Sequence, residues 1–125
     1  MRHRILVADD DLDNRAIAAA VLGAAGFEVL QAKDGEEAIA RALADRPDLV
    51  LLDMDMPGVT GWEAAGRIKA AQGPAAVPIV AYTAHALKGA EEKARAAGCD
   101  GYLAKPCAPR MIVETVRRFL CEVGI

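Results

Sequence analysis

Three consecutive carboxylates, Asp9-Asp10-Asp11, follow the short apolar run Ile5-Leu6-Val7-Ala8, and Asp53 follows a second run, Leu49-Val50-Leu51-Leu52. Two further apolar runs close on other chemistry: Ile79-Val80-Ala81 leads to Thr83, and Tyr102-Leu103-Ala104 leads to Lys105-Pro106. Taken one at a time, an Asp or Thr after a strand is commonly a helix cap, and a Lys before Pro a solvated loop residue. Carboxylates, a hydroxyl and an ammonium distributed over four strand ends describe a site. Several carboxylates in one crevice repel one another and lose hydration, which raises some of their pKa values unless a cation is present. The donors are all oxygen, with no His or Cys beside them in the pattern, so a hard ion is favoured. Mg²⁺ held by a few carboxylates, water and a phosphate meets that description. Lys105 supplies a point charge for phosphate oxygens, and the Thr83 hydroxyl can donate a hydrogen bond to the same group. The combination is suited to holding a phosphoryl group.

Bringing four strand ends to one edge requires a parallel sheet. Several of the apolar runs are continuous rather than alternating, as expected of strands buried on both faces, and Val29-Leu30 and Val77 extend the series. Ala-rich segments with helical spacing lie between them. In the first, Ile17, Ala20, Val21 and Ala24 share one face before a stop at Gly26; in the second, Ala38, Ile39, Ala42 and Leu43 do so before Pro47. Further helices are predicted from about Gly61 to Ala71, from about Lys88 to Ala97 with Gly98 as stop, and from Pro109 to about Glu122. Five β-α units of this kind give an α/β fold with helices on both faces of the sheet and right-handed crossovers. Ligands of such folds bind outside the carboxyl ends of the strands, where strand order reverses. That is where the carboxylates, Thr83 and Lys105 fall.

At 125 residues there is room for one domain, 1–125, with no linker and no internal repeat. The apolar share of 54% and charged share of 26% predict a folded chain. A net charge of −3 without a basic run argues against non-specific nucleic-acid binding. Cys99, Cys107 and Cys121 have neither CxxC spacing nor a histidine cluster, so reduced thiols are expected rather than disulfides or structural zinc. With no secretory h-region and no apolar run approaching the ~18 residues of a membrane span, a soluble, cytoplasmic protein is expected.

The ordered set Ile5-Leu6-Val7-Ala8-Asp9-Asp10, Leu51-Leu52-Asp53-Met54-Asp55-Met56-Pro57-Gly58, Ala81-Tyr82-Thr83-Ala84 and Gly101-Tyr102-Leu103-Ala104-Lys105-Pro106 resembles the receiver domains of response regulators in two-component signalling. The resemblance covers the whole chain. The fragment Lys88-Gly89-Ala90-Glu91-Glu92-Lys93, followed by Gly98-Cys99 and Lys105-Pro106, looks like DivK-type stand-alone receivers and the receiver modules of hybrid kinases. It implies a flavodoxin-like, doubly wound five-stranded parallel sheet of order 2-1-3-4-5 with five helices. It also implies a His-to-Asp phosphorelay in which Asp53 is the phospho-acceptor. Asp9, Asp10 and Asp53 would hold Mg²⁺, with the Asp55 main-chain carbonyl as a further ligand, and Lys105 and Thr83 would bind the phosphoryl oxygens. In this family the Lys-Pro peptide is usually cis. Tyr102 matches an aromatic that moves inward as the threonine shifts; packing on the sheet edge with its hydroxyl in water is the plainer alternative. The implied partners are a sensor histidine kinase or histidine phosphotransfer protein and a downstream protein, with no nucleic acid and no membrane, the chain being a monomer or weak dimer.

Asp11 stands where Asn is frequent in the family, either enriching the acidic cluster or capping the first helix. Asp55 and His85 flank the acceptor at positions thought to tune phosphate lifetime, and Trp62 is read as packing. Asp53-Met54-Asp55 also looks like the nucleophile motif of haloacid-dehalogenase-type phosphatases, but there the motif follows the first strand of a larger chain. A degenerate docking-only receiver is disfavoured because each acceptor, metal and phosphate position carries a competent residue. A flavin-binding protein is disfavoured because Asp9-Asp10-Asp11 would repel a phosphate.

Overall fold

The continuous apolar strands divide their side chains between two cores. A computed structural model describes residues 3–73, 77–83, 89–105 and 108–124, with the backbone alone at 90, 91 and 121–124. In chain order the elements are β1 (Arg4–Ala8), α1 (Leu12–Ala24), β2 (Glu28–Ala32), α2 (Gly35–Asp45), β3 (Leu49–Asp53), α3 (Gly61–Gln72), β4 (Ile79–Thr83), α4 (Ala90–Ala96), β5 (Gly101–Ala104) and α5 (Pro109–Gly124). The strands form one parallel sheet in the order β2-β1-β3-β4-β5. Leu6, Ala8, Val50, Leu52, Ile79 and Ala81 face one core with Ala38, Ala42, Ala64, Ala65, Ile68 and Ala94, so α2, α3 and α4 cover that side. Ile5, Val7, Leu49, Leu51, Val80 and Leu103 face the other with Ala18, Leu22, Ile112, Val116 and Leu120 of α1 and α5. Successive side chains of a strand point to opposite faces, and here both faces are dry, which accounts for the unbroken apolar runs. The architecture is the doubly wound, flavodoxin-like one expected.

Local signals set the helix starts. Asp11 caps α1 by accepting from the amides of Asp13 and Asn14. Asp34 caps α2 through the Glu37 amide at 2.8 Å, while Glu37 reaches back to the Lys33 amide at 2.8 Å. The end of α2 differs in kind: Arg46 takes a left-handed conformation at φ 46°, and Pro47 follows it. Lys69 bonds the Val77 carbonyl at 2.9 Å and Asp100 at 2.6 Å, and Asp100 accepts from the Ile79 amide, which ties α3 to the entry of β4.

Two expectations are corrected. The buried face of α1 is Ala18 and Leu22, flanked by Val21 and Ala25, while Ile17 is 58% exposed. The helix LDNRAIAAAVLGA is apolar nearly all round, so spacing alone does not choose between neighbouring faces, and Ala18 and Leu22 take the inward one. The fourth helix starts at Ala90 rather than near Lys88, because Gly89 holds φ 87°, outside any α-helix. Lys88 itself lies outside the described residues. Among the described residues no helix is long and apolar enough to cross a membrane.

Candidate functional site

Strand register delivers the site. Ala8 pairs with Leu52, so Asp9 leaves β1 beside Asp53, the last residue of β3. Thr83 ends β4 opposite Ala104, and the Lys105 amide donates to the Thr83 carbonyl at 2.8 Å just beyond β5. Because β2 and β3 lie on opposite sides of β1, the chain reverses direction across the sheet between β1 and β3. The crevice at the carboxyl end of that switch point is where α/β folds place ligands.

One carboxylate oxygen from each of Asp9, Asp10 and Asp53 lies within 4.8 Å of the others. Asp9 and Asp53 are buried and Asp10 is exposed, so the cluster opens to solvent on one side. The Lys105 ammonium lies 2.7 Å from Asp9 Oδ2 and 3.7 Å from Asp53 Oδ2, and 4.8 Å from the centre of the Tyr82 ring. Asp9 Oδ1 accepts from the Asp11 amide at 2.9 Å, and Asp53 Oδ1 accepts from the Asp55 amide at 3.1 Å. Burial pushes the Asp53 carboxyl up to about 6, against the opposing pull of the Asp55 amide and the Lys105 ammonium and with a further push from Asp9. The Lys105 ammonium alone does not balance two buried carboxylates and a third at the rim. The all-oxygen donor set therefore fits a hard divalent ion such as Mg²⁺.

The supporting contacts were not legible in the sequence. Arg15 on α1 donates from Nη1 to the Asp9 carbonyl at 2.8 Å and from Nε to Gln31 Oε1 at 3.1 Å, bracing the acidic turn. Gly61 opens α3 directly beneath the acceptor: a Cβ there would meet the Asp53 carbonyl oxygen and stand 2.5 Å from Met54 Cα. Gly35 similarly allows α2 to approach the Val59 carbonyl. A glycine ahead of a helix is a weak signal for close approach until the partner backbone is known.

The response regulator receiver domain family matches residues 5–117. The chain belongs to that family. The receiver is 32% identical over 96% of its length to the polar-differentiation response regulator DivK of Brucella anthropi, covering 98% of that protein. Among solved structures it is similar to the Vibrio cholerae chemotaxis protein CheY4, at a TM-score of 0.89 and 31% identity, over 96% of this chain and 100% of that one. It is also similar to the receiver domain of a sensor histidine kinase from Pseudomonas aeruginosa PAO1, which has a magnesium ion coordinated in its active site cleft. That match has a TM-score of 0.88 and 32% identity, over 96% of this chain and 98% of that one. Receivers are signalling switches of phosphorelays that work with histidine kinases and downstream partners, and are not turnover enzymes.

Of the site residues expected from sequence, Asp9, Asp10, Asp53 and Lys105 come together around one crevice. The Thr83 side chain, 1% exposed, is engaged with Asp55, its Oγ1 donating to Asp55 Oδ2 at 2.7 Å. The Asp55 carboxylate thus stands outside the acidic cluster. The Tyr102 hydroxyl is buried and has no hydrogen-bond partner among the described residues, which corrects the alternative that leaves it in water; its ring packs against the core under α3 and α4. Trp62 packs against the same core with the Lys93 ammonium 4.7 Å from its ring centre, as a packing residue. Asp11 is a cap. Cys99 is buried and its thiol is pushed up to about 11, chiefly by burial and then by Asp100, which makes it an inert core residue. His85, the Lys105-Pro106 peptide and Cys107 lie outside the described residues.

Proposed function

We propose that this chain is a cytoplasmic phospho-acceptor of a His-to-Asp phosphorelay, with Asp53 as the acceptor and residues 1–125 acting as one receiver. The observation that carries the reading is the buried Asp53 carboxylate at the end of β3, clustered with Asp9 and Asp10 and 3.7 Å from the Lys105 ammonium, which also bonds Asp9. Asp9, Asp10 and Asp53, with the Asp55 main-chain carbonyl, would hold Mg²⁺, and bound Mg²⁺ would neutralise charge on the transferring phosphoryl group. An Asp53 carboxylate oxygen forms the new P–O bond while the P–N bond to a phosphohistidine breaks, and the donor imidazole leaves with the bonding pair. Lys105 binds one phosphoryl oxygen and the Thr83 hydroxyl another, stabilising the developing charge by position. Water later attacks the same phosphorus to restore Asp53.

The signal passes through Thr83 and Tyr102 to the face made by α4, β5 and α5. The phosphoryl oxygens attract Thr83, and the space it vacates favours an inward Tyr102, which is differential binding of one ligand to two conformations. A net charge of −3 suits a protein partner on that face better than nucleic acid. The test is incubation with acetyl phosphate, with and without Mg²⁺, followed by intact mass measurement. One phosphoryl group is gained only with Mg²⁺, and Asp53→Asn gains none. A Mg²⁺-independent gain, or a gain in the Asn variant, would refute the assignment.

A further inference from the structure

We propose that the Asp55 carboxylate is a positioning group that stands in for the phosphoryl group at Thr83, so that the unmodified protein already supplies an internal acceptor for the switch hydroxyl. The proposal rests on the reading of Asp53 as the acceptor and adds an intramolecular competitor to it. Its starting point is the 2.7 Å bond from Thr83 Oγ1 to Asp55 Oδ2, which joins residues 28 positions apart and links the loop after β3 to the end of β4. Thr83 is 1% exposed, so its hydroxyl cannot exchange a lost partner for bulk water, and a charged acceptor makes the bond a strong one of its kind. Asp55 is exposed and its carboxylate has water as an alternative. The two ends of the bond therefore differ in solvent access, Thr83 being buried and Asp55 exposed.

The rest of Asp55 is tied to the acceptor, since its amide donates to Asp53 Oδ1 at 3.1 Å. A phosphoryl group on Asp53 would bring negative oxygens toward a carboxylate held on the same short loop. Repulsion would expel the Asp55 side chain to solvent and release Thr83 to the phosphoryl oxygens. The Tyr102 hydroxyl, buried and without a hydrogen-bond partner among the described residues, is a second observation in the same direction. With Thr83 bonded to a carboxylate, the Tyr102 ring on the neighbouring strand is partly buried and packed against the core. In the ligand-free protein Asp55 thus does part of what phosphorylation would do, and the phosphoryl group gains only the difference.

The test is a double-mutant cycle on the full chain, with beryllofluoride and Mg²⁺ as the phosphoryl mimic and its apparent affinity read from amide NMR titration. Asp55→Ala should tighten beryllofluoride by roughly tenfold, the worth of one hydrogen bond to a charged group. If the residue acts through Thr83, that gain disappears in a Thr83→Val background and persists with Thr83→Ser, which keeps the hydroxyl. A gain of equal size in the Val background would make Asp55 a simple electrostatic repeller and overturn the proposal, as would unchanged or weakened binding in Asp55→Ala. Unfolding of the ligand-free proteins gives a readout independent of the mimic: Asp55→Ala and Thr83→Val should be non-additive, and strict additivity would also overturn it. Wild-type protein that fails to bind beryllofluoride would overturn the phospho-acceptor reading together with this one, whereas binding without coupling would overturn this one alone.

Discussion

Replacing Asp53 by Asn should stabilise the metal-free protein at neutral pH and leave it little changed in acid. The Asp53 side chain is 7% exposed, and its pKa is held at about 6 against an ordinary value of 3.8. Burial is the main cause, so the ionised form is what the fold disfavours. Between those two values the folded chain binds the proton more tightly than the unfolded one, and stability therefore falls as pH rises through the window. Above about 6 the penalty is complete. A shift of about two pKa units corresponds to a ceiling of about 3 kcal/mol. Asn is nearly isosteric and carries no charge at any pH, so the gain of Asp53→Asn should grow from near zero around pH 4 to 1–3 kcal/mol, on the order of that ceiling, above pH 6. Lys105 keeps its 2.7 Å partner Asp9 in the variant, so no ammonium is stranded. Urea unfolding in a chelator-containing buffer at several pH values measures the difference directly. A variant no more stable than wild type at neutral pH, or one with the same gain at every pH, would refute the reasoning.

Three further outcomes follow from the same geometry. Mg²⁺ should raise the melting temperature of the wild-type protein, because it binds the folded acidic cluster preferentially, and Asp10→Asn should reduce that rise; thermal melting across millimolar Mg²⁺ checks both. Lys105→Met should destabilise the metal-free protein by about 3 kcal/mol in urea unfolding, since Asp9 and Asp53 lose their buried counter-charge, and Mg²⁺ should recover part of the loss. Gly61→Ala should cost about 1–3 kcal/mol in the same assay, because the new methyl meets the Asp53 carbonyl and Met54 Cα and the loop carrying the acceptor must shift.

The sheet was legible because its strands are buried on both faces: residues such as Leu49-Val50-Leu51-Leu52 leave no alternation that would suit a half-exposed strand. The acidic residues, Thr83 and Lys105 were legible because parallel strands bring their carboxyl ends to one edge, so a list of strand ends is already a list of neighbours. The packed face of α1 was not, since a helix with apolar residues on most sides leaves the choice to tertiary contacts, which take Ala18 and Leu22. Nor was the Asp55 side chain: its sequence position put it next to the acceptor, but only the fold shows that it turns to Thr83 across 28 residues. Nor were the contacts of Arg15 with the Asp9 carbonyl and of Gly61 with the Asp53 carbonyl, because their partners are backbone atoms brought close only by the fold. Backbone carbonyls carry no sequence signal.

The claim that matters most is that Asp53 receives the phosphoryl group. It is tested most directly by treating the protein with acetyl phosphate and Mg²⁺, trapping the acyl phosphate by borohydride reduction, and sequencing the peptides by mass spectrometry. An aspartyl phosphate reduces to homoserine, so the account predicts homoserine at position 53 and at no other carboxylate. Reduction found instead at Asp9, Asp10 or Asp55, or a stable label that borohydride leaves untouched, would contradict it.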